Sequence, residues 1–342
     1  MERVENIRWP TSRTRASAHV SPSVFAAIII AAASGSAALA SWLPLQISIV
    51  TVFLFAGPHN WLEARYFLMR LPVRFGRSRN FFLVAFSGIG LLTLAYVSLP
   101  AMYYANIWSG ANWPNAIATW NTAMILWIGA LVLMRGRQKA NRDWFWIMPI
   151  VFVLCGVNWL SPELFSLAIV YVHPLVALWF LDRHLQRTKP EWVRTYRRCL
   201  MFLPLLLGLM MWQLSRTTAL ADDNGLFWRI TQHAGAELLP NISSHLLVST
   251  HVFLEMLHYG VWIFALPLIG ATGAIWNVRS IPLAKHSSGF PKLIAAFLIC
   301  GCFLVVLLWF GFSANYAMTR DIYFTIAMAH VLAEAPFLLR MI

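Results

Sequence analysis

Residues 46–69 read QISIVTVFLFAGPHNWLEARYFLM, an apolar run of bilayer length broken at 57–64 by GPHNWLEA, which holds a histidine, an asparagine and a glutamate. A segment of roughly 20 apolar residues is long enough to cross the hydrocarbon core of a membrane. A charge at that depth costs from about 3 kcal/mol upwards on insertion scales, so ionisable groups there face a protein interior or mark function. His59 and Glu63 therefore ask what lies around them.

The rest of the chain resembles this run. Of 342 residues, 59% are hydrophobic and 11% charged, whereas an ordinary soluble domain has roughly 25% charged residues. Apolar windows fall near 23–43, 46–69, 81–103, 115–134, 144–160, 163–182, 199–214, 244–269, 293–313 and 320–339. The expected fold is all-α: one polytopic transmembrane bundle of about ten spans, forming a single domain over 1–342, with the fifth and seventh windows short enough to lower the count. The first window is read as a retained span rather than a cleaved signal.

The formal charge of +13 would suit nucleic acid if the basic residues formed one patch. They lie instead in alternate loops: a basic segment at 1–22, Arg70 to Arg79 after the second span, Arg135 to Arg142 after the fourth, and Arg183 to Arg198 after the sixth. Arg216, Arg229 and Arg320 are exceptions on the other side, and Arg65 falls within the second span. The bias places both termini in the cytoplasm by the positive-inside rule, so the charge is topological and no nucleic-acid partner is expected. A bacterial inner membrane is the expected location. The polar stretch 215–242 becomes an outer-face loop, in which LFWRITQHAGAELL has the pattern of an interfacial amphipathic helix. Cys155, Cys199, Cys300 and Cys302 lack metal-finger spacing and read as packing residues.

His59 is not alone at membrane depth. His173, His251 and His258 with Glu255, and His330 with Glu334 lie in later spans, and MAHVLAEA at 328–335 repeats the H-x-x-x-E-A spacing of GPHNWLEA. His59, His173 and His330 precede the basic helix ends at Arg70, Arg183 and Arg340 by about ten or eleven residues, which puts them roughly 15 to 17 Å deep. His258 is at a similar depth from Ile269. Within each span, residues four apart share a face, so His59 with Glu63, His330 with Glu334, and the series His251, Glu255, His258 each form one stripe.

Imidazole and carboxylate are ligands of non-haem iron and also of zinc or copper. The expected metal ligands are His59, His173, His251, His258 and His330, with Glu63, Glu255 and Glu334 as ligands or orienting groups. Two other readings share these residues: a proton- or ion-coupled transporter, and a non-catalytic subunit that holds a cofactor. His184, His233, His245 and His286 fall at helix ends or in loops and His19 in the basic segment, so solvated roles are expected for them. Asp182 is expected in an ion-pair cluster beside Arg183, and Asp321 beside Arg320 at an interface. Pro58 and Pro174, each next to a histidine, are expected to loosen their helices.

GPHNWLE resembles the early glycine, proline, histidine and acid signature of the Brp/Blh membrane proteins, with Glu63 at the acidic position, and His251 and His258 look like that family's paired histidines. The resemblance covers a few dozen residues. It implies an iron-dependent dioxygenase in the membrane, with histidine-ligated iron, molecular oxygen as co-substrate and an apolar, carotenoid- or lipid-like substrate drawn from membrane lipid.

Overall fold

The computed structural model describes residues 21–73, 75–107, 109–138, 144–221, 223, 225–269, 277–285 and 289–342. All but the end of the basic segment 1–22 lies outside these residues, as do His19 and His286. The chain is all-helical among the described residues. In order the helices are α1 (Pro22–Trp42), α2 (Pro44–Arg70), α3 (Arg79–Tyr104), α4 (Trp113–Arg137), α5 (Ile147–Leu160), α6 (Pro162–Thr188), α7 (Pro190–Leu200), α8 (Phe202–Leu214) and α9 (Leu226–His233). Then follow α10 (Ser244–Tyr259), α11 (Leu266–Ile269), α12 (Pro282–Lys285), α13 (Pro291–Ala314) and α14 (Tyr316–Met341).

Local sequence explains the boundaries. Pro22, Pro44, Pro162, Pro190 and Pro291 each stand in the first turn of a helix, where the missing N–H would have had no partner and the fixed φ is already helical. Ser21 caps α1 by accepting from the Val24 amide, and Asn315 caps α14 by accepting from Met318. After α9 the chain turns at Gly235, whose φ of +91° favours glycine.

Nine helices among the described residues are long and apolar enough to cross a bilayer, with α7 and α8 together forming one of them. Nine lies within the expectation of about ten spans with two windows short enough to lower the count. The fifth apolar segment is a helix of 14 residues, about 21 Å long against a hydrocarbon core of about 30 Å. It is tied to its neighbours by amides: Asn121 donates to Asn158 at 2.8 Å, and Asn158 donates to the Ala118 carbonyl at 2.8 Å. The seventh span is longer than expected because the helix Pro190–Leu200 precedes it, burying Trp192, Tyr196 and Cys199.

The outer helices present apolar faces with no protein against them. On α13, Leu293, Ile299, Phe303 and Phe310 are each at least 65% exposed, an arrangement that suits hydrocarbon rather than water. Inside, α2, α10, α6 and α14 form a closed ring in which each packs against the next. These four helices bear every histidine expected in the midplane layer. Both expected proline sites lie inside continuous helices, Pro58 in α2 and Pro174 in α6. The end of α10 runs into a π-helical segment, Gly260–Ala265, a widened turn of the kind found beside functional sites.

Candidate metal centre

Four imidazoles meet inside the ring of helices. The ring of His59 lies 5.3 Å from that of His258 and 5.2 Å from that of His330. The ring of His173 lies 4.7 Å from that of His258 and 5.1 Å from that of His330. His59, Glu63, His258 and Glu334 are no more than 3% exposed. An aromatic layer closes one side of the cluster, where fully buried Trp262 packs edge-on to His258 and Tyr66, and Phe67 stacks on Phe337 at 4.2 Å. Because α2, α6, α10 and α14 each supply one histidine at matched depth, the shared layer expected from the sequence is present as a shared volume.

Hydrogen bonds fix which ring atoms point inward. His59 Nδ1–H donates to the Phe55 carbonyl at 3.0 Å, one turn back on its own helix, which leaves Nε2 with a free lone pair. His173 Nδ1–H donates to Glu334 Oε2 at 3.0 Å, which likewise frees its Nε2. That Nε2 lies 3.2 Å from Nε2 of His330. With metal–nitrogen distances of about 2.1 Å, adjacent ligands on one ion stand roughly 3.0 to 3.4 Å apart, so the observed separation fits a shared cation.

The remaining polar atoms are the informative ones. His59 Nε2, both nitrogens of His258, both carboxylate oxygens of Glu63, Nδ1 of His330 and Oε1 of Glu334 are buried without a hydrogen-bond partner. Each such atom costs about 1 to 3 kcal/mol if nothing answers it. Glu63 with His59, His258 and His330 forms one group whose ligand atoms lie within 4.8 Å of one another, and His173, His258 and Glu334 form a second that shares His258. The residues fit a metal ion: the acceptors converge, they lack donors, and both histidines with assigned tautomers turn lone pairs toward the centre.

His251 and Glu255 belong to neither group. They share the α10 stripe with His258, but His251 stands seven residues away, about 10 Å along the axis. Its ring instead meets His233 at 5.1 Å and Tyr171 at 5.9 Å. Glu255 accepts from Tyr259 at 2.8 Å, and Tyr259 packs on the His59 ring at 4.6 Å. A cavity of about 200 Å³ joins the histidine cluster to this outer set, since His59, His173, His258, His330, His251 and Glu255 all line it.

Several polar residues take places that the sequence did not suggest. His184, expected in solvent, is 7% exposed, and its Nδ1 lies 3.1 Å from Arg70. His233 stacks on Phe324 at 4.5 Å, and His245 meets the Ser41 carbonyl at 2.9 Å. Asp182 binds Arg197 through both oxygens rather than Arg183, and Asp321 pairs with Arg229. Arg320, expected at an interface, is 3% exposed with its guanidinium over Phe324. Tyr259, one helical turn from Glu255, joins the site through that spacing; Asn60, the asparagine of GPHNWLEA, bonds Tyr323 at 3.2 Å across two helices, a partner that nothing in the sequence marks.

No protein-family model matches the chain, and neither curated proteins nor solved structures give a significant match.

Proposed function

We propose that this multi-pass membrane protein holds one transition-metal ion on His59, His258, His330 and His173, with Glu63 as a further ligand, and uses it as an oxygenase on a lipid-soluble substrate. The observation that carries this reading is the set of buried, converging ligand atoms with no partner. Imidazole and carboxylate together suit iron, and zinc or copper less specifically; the resemblance of GPHNWLE to the Brp/Blh proteins favours iron. Iron bound there would supply the redox chemistry for oxygen insertion. Glu334 holds His173 in the tautomer that turns Nε2 inward, and the aromatic layer around Trp262 keeps water from that side. Glu255 and His251 act at a distance, through Tyr259 and the cavity, rather than as ligands. The basic loops favour a cytoplasmic location for both termini, and an inner membrane of bacterial type is the location proposed.

One observation favours the rival reading of a proton or ion path. The cavity continues from the histidine cluster to His251 and Glu255, as a route for charge through the membrane would. Elemental analysis of the purified protein decides first: about one iron atom per chain is expected for a site with one set of ligands, and it should be lost in the His59→Ala, His258→Ala double variant. A wild type that is folded and free of transition metal would sink the metal reading, and proton-coupled uptake by such protein in liposomes would establish transport.

A further inference from the structure

A second cavity, about 710 Å³, lies on the other side of His330 from the first. It runs between α2, α3, α13 and α14, and its walls are almost wholly apolar. Its outer rim is formed by Phe86, Phe297, Leu304 and Ile326, each at least 43% exposed on the face that meets lipid. Its inner end is formed by His330 and Glu63, two members of the candidate metal centre. Small residues on facing helices, Ala64 on α2 and Ala329 and Ala333 on α14, leave the space open. His330, Tyr323 and Ala327 line both cavities, so the histidine-lined chamber and the apolar one meet at these residues.

The apolar chamber also contains an unanswered acceptor. Asn60 spends its side-chain N–H on Tyr323, while its Oδ1 is buried without a donor. Asn60 is in neither ligand group, so a cation at the histidines leaves that oxygen unsatisfied. A pocket of this volume, apolar with a few polar groups at one end, is typical of a small-molecule site. An occupant that answers it has a long hydrocarbon body and a hydrogen-bond donor at one end.

We propose that this groove binds a long-chain alcohol-like lipid, which enters sideways from the bilayer between α3 and α13 and brings its donor head to Asn60 beside His330 and Glu63. The assignment of this molecule as the substrate rests on the metal-centre reading; the binding itself does not. The histidine-lined chamber then serves small reactants or protons, and the lipid never has to cross it.

The test uses the full chain in phosphatidylcholine nanodiscs and octadecanol carrying a mid-chain diazirine. After photolysis, labelled peptides should come from the groove faces of α2, α13 and α14, and excess plain octadecanol should suppress the labelling. Octadecane, which lacks the donor, should compete about fivefold less well, the worth of one hydrogen bond, and Asn60→Leu should erase that difference. Ala329→Trp, which fills the groove, should abolish saturable labelling, whereas Phe303→Trp on the outer face of α13 should leave it intact. Should Ala329→Trp fail to fold, Ala333→Leu makes a smaller filling that serves the same comparison.

Labelling that excess octadecanol does not suppress, or that spreads evenly over the lipid-facing helices, would mean that bilayer lipid merely coats this face and would overturn the proposal. Equal competition by octadecane would overturn the role of Asn60 and the alcohol class. Iron measured on the same samples separates the two readings: saturable labelling of metal-free protein keeps the groove and removes the metal centre, while iron-loaded protein without saturable labelling does the reverse.

Discussion

His173 and Glu334, 161 residues apart in the chain, are joined by a 3.0 Å hydrogen bond from Nδ1–H to Oε2. The bond links α6 to α14 and aims the other nitrogen of His173 at His330. A carboxylate that orients a metal-binding imidazole usually matters by 10- to 100-fold in metal affinity. Glu334→Ala should therefore weaken iron retention by about that factor in chelator competition, while Glu334→Gln, which keeps an acceptor, should lie nearer to wild type. Equal loss in both variants would show that Glu334 acts by its charge instead.

The two histidines of α10 should behave differently. His258→Ala removes a residue shared by both ligand groups and should empty the site. His251→Ala, about 10 Å away along the helix, should leave metal content unchanged and alter only what depends on the outer end of the cavity. Metal analysis of the two purified variants side by side checks this, and equal loss would place His251 back among the ligands.

Acid should loosen α9. His233 is held well below its ordinary pKa by burial first, then by Arg320 and His251. A histidine kept neutral by the fold binds fewer protons than the unfolded one, so this contact loses stability as pH falls below about 6.5, the unfolded value, and keeps it above. Hydrogen exchange at the amides of Leu226–His233 should rise between neutral pH and pH of about 5, and His233→Phe, which retains the stacking on Phe324, should flatten the profile.

Gly88 is a packing constraint. A Cβ there would enter the Trp127 indole, whose Nε1 donates to the Val84 carbonyl at 3.0 Å. Gly88→Ala should lower stability by about 1 to 3 kcal/mol, the usual cost of overpacking, read as a fall in the thermal midpoint in detergent. Trp127→Leu should relieve the clash, so the double variant should unfold later than the sum of the two single effects predicts.

Much of the fold was legible because the membrane imposes a simple rule on composition. Nine of the expected apolar windows correspond to helices of spanning length, and five of these begin at prolines. The fifth window, already short in the sequence, is the helix Ile147–Leu160; apolar composition is the same in a span and in a short helix, and the Asn121–Asn158 contacts show how it is held.

The candidate site divides along the same line. The rise per residue is a constant of the helix, so sequence alone set the depth of His59, His173, His258 and His330, and it put Glu63 and Glu334 one turn away. Depth does not fix neighbours. The repeated H-x-x-x-E spacing gave two glutamates with different partners: Glu63 lies with His59, His258 and His330, while Glu334 reaches across to His173 on α6. His251 and Glu255 lay on the right face of α10 yet fell outside the cluster, because seven residues of rise separate His251 from His258 whatever face it shares. Which helices stand side by side, and how each is rotated about its axis, depends on packing between residues far apart in the chain. Only the tertiary structure therefore decided that four imidazoles meet, and that His330 borders both the histidine-lined cavity and the apolar one.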